Sequence, residues 1–314
     1  MLVRNDSDVL ARYLALSSAM LLLIFATLPT LAQSIDPQWE NRINSIMGMK
    51  GEEMPHGVLR FDLPRTDIHL TINGIHVLPN LATDGYAAYK QEGKAGTLLV
   101  AELALKENEV NPVIKVLEHY RALGIDFTAH HNHLMMENPR TIFVHLTGVG
   151  NAATLAQVLE SVLAKTSEPR TNDDNSQDAD DTIHGIDTDK VEQILGGTPT
   201  IVDGVLEVTL PRPGGNATNE GLAFPSEMGA ETELHFQSLG NGKAIAAPEI
   251  CALRDQTDVV EQVLRDSGMF TETALHNHWT EENPRFFFIH ATGTGDAVAL
   301  ARVLKQALEK AEGK

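Results

Sequence analysis

Residues 131–159 read HNHLMMENPRTIFVHLTGVGNAATLAQVL, and residues 276–304 read HNHWTEENPRFFFIHATGTGDAVALARVL. At an offset of 145 the two stretches match at 17 of 29 positions without a gap. A second pair, GVLRFDLPR from Gly57 and GVLEVTLPR from Gly204, carries the duplication well upstream. The chain is therefore a tandem repeat, and a reading of one copy applies to the other.

Within each copy the order of elements follows from periodicity and turn residues. In the first, Val58 to Leu63 is a strand stopped by Pro64, and Ile68 to Leu78 alternates around Asn73-Gly74, the strongest short hairpin signal. Tyr86–Tyr89 and Thr97–Leu105 are further strands, followed by a helix with Asn108 as candidate cap and Gly124 as its end. Ile125–His133 and Thr141–Leu146 form a hairpin turning at Glu137-Asn138-Pro139, and Asn151 opens an Ala/Leu-rich second helix. The second copy repeats this with strands Glu233–Gln237 and Lys243–Leu253, but Pro213 to Met228 reads as a loop rather than a hairpin. The expected class is α+β: a tandem duplication in which each half is a largely antiparallel sheet with two helices on one face, in a core order that allows a ferredoxin-like arrangement. Domain 1 is expected over 33–166 and domain 2 over 191–314. Residues 167–190, acidic and nearly devoid of large apolar side chains, read as a solvated linker.

The repeated histidines carry the chemistry. Residues i and i+2 of a strand share a face, so His131 and His133 point together, as do His276 and His278. A turn centred on Asn138 sets His145 opposite His131, and one centred on Asn283 sets His290 opposite His276. Three imidazoles then converge in each half. That donor set suits zinc or another borderline divalent metal. Glu102 and Glu249, at matching places in VAEL and APEI, are candidates for a fourth ligand or for the general base of metal-assisted hydrolysis. Arg140 and Arg285, after Asn-Pro in both copies, are candidates for binding an anionic ligand, with an ion pair to Glu137 or Glu282 as the structural alternative. Phe143 and Phe286 to Phe288 read as strand core, and His235 belongs to no evident constellation.

Composition narrows the partners. A net charge of -19 excludes nucleic acid, which needs a basic face. Cys251 stands alone, so neither an internal disulfide nor a thiolate zinc cage exists. At the N-terminus, Arg4 and Arg12 precede an apolar run from Tyr13 to Leu31 that ends in Thr30-Leu31-Ala32. This reads as a secretory signal over 1–32 cleaved near Ala32, giving an extracytoplasmic (periplasmic or secreted) chain with no stable membrane insertion after cleavage.

The segments ENEVNPVIKVLEHYRALGIDFTAHHNHLMMENPR (107–140) and LHNHWTEENPRFFFIHATGTGD (275–296) resemble the LppY/LpqO family of secreted or lipid-anchored bacterial proteins. The resemblance covers essentially the whole mature chain. It implies an exported bacterial protein built of two such domains, without an established activity. The sequence leaves three functions open: a divalent metal-binding protein, a non-enzymatic binder of a small polar or cell-envelope ligand, and a metal-assisted hydrolase.

Overall fold

The computed structural model describes residues 35–93, 96–167 and 182–314, so the expected signal segment and most of the linker lie outside it. The first half runs α1 (Pro37–Met47), β1 (Glu52–Met54), β2 (Val58–Asp62), β3 (Thr71–Ile72), β4 (Ile75–His76), α2 (Pro79–Ala82), β5 (Tyr86–Gln91), β6 (Thr97–Lys106), α3 (Glu107–Tyr120), β7 (Ile125–His131), β8 (Glu137–Asn138), β9 (Thr141–Gly150) and α4 (Ala152–Leu163). The second runs α5 (Thr188–Leu195), β10 (Thr198–Val202), β11 (Val205–Leu210), β12 (Thr218–Asn219), β13 (Leu222–Ala223), β14 (Thr232–Gly240), β15 (Lys243–Leu253), α6 (Arg254–Asp266), β16 (Phe270–His276), β17 (Phe286–Asp296) and α7 (Ala297–Ala311). Each half builds a six-stranded antiparallel sheet in the same order, β1-β2-β5-β6-β9-β7 and β10-β11-β14-β15-β17-β16. The α+β class and the duplication are as the sequence indicates.

Strand alternation sorts the residues into two cores. In β6, Leu99, Ala101, Leu103 and Leu105 face the first half's helices, in a cluster with Val113 and Leu117 of α3 and Leu155 and Leu159 of α4. In β15, Ala244, Ala246, Ile250 and Ala252 do the same against α6 and α7. Residues of the opposite parity, Leu98 and Val100 in one sheet and Cys251, Phe286 and Phe288 in the other, join a single buried cluster. A further mixed cluster joins Ile68, Leu70, Ile72 and Leu134 to Val205 and Ile245. The sheets therefore lie face to face on the sides their helices leave free. Each fully buried Leu or Phe here contributes roughly 1.5–3 kcal/mol. Among the described residues, no helix is long and apolar enough to cross a membrane.

Several local expectations are corrected. The helix after β6 starts at Glu107 rather than after Asn108, because Glu109 folds back to accept the Lys106 backbone N–H at 2.9 Å. The segment Pro213 to Met228 does contain a hairpin, β12–β13, turning at Glu220-Gly221 with φ of 52° and 73°. It was obscured because Glu, unlike Asn73 in the first copy, is an uncommon residue at positive φ. The helices α1 and α5 were not anticipated. Asp36 caps α1 by accepting the Gln38 N–H, and Ile43 and Met47 are buried in the first core. Residues 188–190, expected at the end of the linker, form the first turn of α5, and Ile183 and Ile186 already pack on the second core.

Candidate metal centre

The inner faces of the two sheets carry the repeated histidines, and they carry them to one place. The expected register is corrected by two residues: Ala129, not His131, lies across from His145, and Ala274, not His276, lies across from His290. The cause is the loop. Glu137 and Asn138 are drawn out to pair with Ile72 and Thr71, so Asn138 is not the tip of a tight turn, and both Asn138-Pro139 and Asn283-Pro284 are cis. A shift of two preserves the face, so His131 and His145 still point the same way, now as diagonal neighbours.

His133 and His278 lie just past the ends of β7 and β16, held by a reciprocal exchange between the halves. Thr128 Oγ1 donates to the His278 carbonyl at 2.7 Å, and Thr273 Oγ1 donates to the His133 carbonyl at 2.6 Å. Phe143 and Phe288, expected as plain strand core, are also platforms: His133 stacks on Phe143 and His278 on Phe288, each at 3.7 Å between ring centres.

The six imidazoles form one body. Across the boundary between the halves, His131 meets His276 at 3.7 Å, His133 meets His290 at 3.9 Å and His145 meets His278 at 3.9 Å between ring centres. Potential ligand atoms within 4.8 Å of one another fall into two groups: His131, His133, His145 and His278, and His133, His276, His278 and His290. Both groups draw on both repeats, and both use His133 and His278. Both ring nitrogens of His131, His145, His276 and His278, and Nε2 of His133 and His290, are buried without a hydrogen-bond partner in the protein. Burial, reinforced by the neighbouring rings, holds His133, His145 and His278 well below the ordinary imidazole range, and likewise His290. Burial pushes His131 down to about 4 and His276 to about 3. All six rings are thus neutral at pH 7, with lone pairs free to ligate.

Glu102 and Glu249 are where the sequence set them. Glu102 lies directly across from His145 and Glu249 directly across from His290. Their carboxylate oxygens stand 3.7 Å from His145 Nδ1 and His290 Nδ1, and Glu102 stands 3.7 Å from His133 Nδ1 as well. Burial raises both carboxyls well above their ordinary range. Asp84 and Glu233 add to this at Glu102, and Glu102 and Glu233 add to it at Glu249. Both line a cavity of about 50 Å³ that His133 and His290 also face. Arg140 and Arg285 are directed elsewhere. They pair with Glu137 and Glu282 of their own loops at 3.7 and 3.8 Å, and Arg285 also donates to the Thr280 carbonyl at 2.7 Å.

Sequence reasoning missed Asp84, Glu233 and His235, whose potential ligand atoms also lie within 4.8 Å of one another and face the same cavity. The alternation Glu233-x-His235 in β14, with Glu249 across from Glu233, was a legible signal. Asp84 was not, because it comes from the loop before β5 in the other half.

A family model described as Domain of Unknown Function (DUF1259) matches residues 41–165 and, separately, residues 189–310. No curated protein matches the chain. Among solved structures, EtuB from Clostridium kluyveri is similar at 12% identity over 82% of this chain and 87% of that one, with a TM-score of 0.21. The trimeric bacterial microcompartment shell protein PduB is similar at 11% identity over 82% of this chain and 91% of that one, with a TM-score of 0.20.

Proposed function

The chain belongs to the Domain of Unknown Function (DUF1259) family, with one copy of the domain in each half, and we propose that the two copies together bind a divalent metal through His131, His133, His145, His276, His278 and His290. One observation carries this reading: six rings, four buried and two (His131 and His276) half-buried, each with at least one buried nitrogen that has no partner in the protein. An unsatisfied buried polar group costs about 1–3 kcal/mol. Six such rings sum to on the order of 10 kcal/mol, comparable to the whole stability of a domain. A metal that accepts imidazole lone pairs removes that cost, and a neutral, all-imidazole donor set favours zinc, copper or nickel over magnesium or calcium.

The cavity volume weighs against an organic ligand. About 50 Å³ has room for an ion with a water or two, whereas small-molecule sites run to roughly 300–1,000 Å³. Metal-assisted hydrolysis is the second reading, favoured by the register that sets Glu102 against His145 and Glu249 against His290. In that reading Glu102→Gln and Glu249→Gln retain metal and lose turnover. Export over residues 1–32, and the narrower LppY/LpqO kinship, belong to the same proposal, and N-terminal sequencing of the protein recovered outside the cytoplasm tests the first.

Metal analysis of the purified protein after loading with zinc tests the central reading. His133→Ala and His278→Ala, which strike both ligand groups, are expected to weaken binding at least about tenfold more than His131→Ala or His276→Ala, each of which strikes one. Absence of bound metal after loading with zinc, copper and nickel in turn sinks the reading.

A further inference from the structure

The cavity beside the histidines has a second, chemically different wall. Glu233 and His235 project from the inner face of β14, and Asp84 reaches them from the first half, bringing two carboxylates and an imidazole within 4.8 Å of one another. His235 is 5% exposed, faces the cavity, and has a buried Nε2 without a hydrogen-bond partner. Its nearest carboxylate, Glu207 in the neighbouring strand, stands 3.7 Å away, too far for a hydrogen bond.

We propose that Asp84, Glu233 and His235 form a second divalent-cation site, harder in character than the histidine centre and present once in the molecule. Charge supports it. Asp84, Glu102, Glu233 and Glu249 all line this one small cavity, and Arg60 is the one arginine or lysine in its described lining. Arg60 reaches Glu233 only at 3.7 Å, so the carboxylates are under-neutralised. Desolvated carboxylates without sufficient counter-charge are costly, and a divalent cation supplies what is missing. Two carboxylates and one imidazole suit manganese, ferrous iron or magnesium better than the metals an all-imidazole set selects.

Its position in the repeat separates this site from the histidine centre. Three histidines recur in both repeats, but the first-half counterparts of Glu233, His235 and Glu207 are Tyr86, Ala88 and Arg60. The positions of the ligands Glu233 and His235 thus hold a phenol and a methyl in the first half, and that of the neighbouring Glu207 holds a guanidinium.

Manganese binding by the full-length protein, followed by electron paramagnetic resonance with the histidine centre preloaded with zinc, is the test. One further manganese ion per chain is expected. Asp84→Asn and Glu233→Gln each should weaken it about tenfold or more, the loss that even outer-shell partners of a metal produce, while zinc content is unchanged. His133→Ala should leave manganese bound. If a carboxylate variant melts abnormally, His235→Gln replaces it. Manganese binding that survives all three substitutions, or that disappears with His133→Ala, overturns the proposal. Manganese bound as expected in a protein that takes up no zinc leaves this site standing and removes the histidine reading instead.

Discussion

Leu63-Pro64-Arg65 and Leu210-Pro211-Arg212 occupy the same place in the two repeats, yet their arginines do opposite things. Arg65 is fully buried. It donates to both oxygens of Asp67 at 2.8 and 3.0 Å, to both oxygens of Glu109 at 2.8 and 3.1 Å, and to the Ala104 carbonyl at 2.6 Å. Arg212 donates to the Gly215 carbonyl at 3.1 Å and lies over the rings of Phe224 and Phe286 at 5.8 and 5.5 Å. The counterparts of Asp67 and Glu109 both differ. Asp67 is replaced by Gly214, and Glu109 by Gln256, which accepts the Leu253 N–H at 2.8 Å and donates to the Ala311 carbonyl at 3.1 Å. Glu109 and Gln256 cap their helices the same way, but only Glu109, with Asp67, carries charge to pair an arginine in the core. Two changes in a duplicated frame accompany the relocation of a buried cation.

The contrast is most exposed to breakage at the arginine itself. Arg65→Met leaves Glu109 and Asp67 with only the donors of Lys106 and Ser167 and should destabilise the chain by about 3 kcal/mol, the lower end of the usual cost of halving a buried pair. Arg212→Met should cost about 1 kcal/mol, because it removes a partly exposed cation–π contact and one hydrogen bond. Urea unfolding of the two variants measures the gap, and equal losses would refute the comparison.

Glu109→Gln converts the first half toward the second and should cost about 1.5–3 kcal/mol, the value of hydrogen bonds to a charged group. It also isolates a pH dependence. Against the opposing effect of burial, hydrogen bonds from Arg65, joined by those from Lys106 and Ser167, hold Glu109 and Asp67 below their ordinary range. A depressed folded-state pKa contributes stability that is present above the unfolded value near ~4 and is lost as pH falls through the folded one. Acid titration of the melting temperature should therefore be shallower below pH ~4 in Glu109→Gln than in the parent. Identical profiles would mean that the network does not titrate with unfolding.

The smallest effect compares the caps. Asn151 accepts the Ala153 and Thr154 N–H groups at 3.0 and 3.2 Å, and Asp296 accepts that of Ala299 at 2.9 Å. Alanine at either position should lower stability by about 1 kcal/mol. Only the Asp296 loss should shrink in high salt, since only that cap adds a charge to the helix dipole. Thermal melts at low and high ionic strength distinguish the two.

What could be read from the letters follows the range of the interaction. Strand parity, caps and the duplication are local or self-referential, so Asn151, Glu102 and the three-histidine face were legible. The hairpin of Thr218–Ala223 was hidden by Glu220, a residue whose φ of 52° composition does not advertise. The histidine register slipped because Glu137 and Asn138 answer to Thr71 and Ile72, a partner more than sixty residues away. The merging of two ligand sets into one could not be read at all. It depends on which faces of two sheets meet, a fact that belongs to neither repeat alone.

The reciprocal bonds from Thr128 to His278 and from Thr273 to His133 have a consequence for the ancestry of the molecule. An isolated repeat holds only half of the cluster and half of this exchange, so it could complete them only by pairing with a second copy as a symmetric dimer. Tandem fusion replaces that encounter with an intramolecular one. Assembly of the centre then no longer depends on how much protein is present.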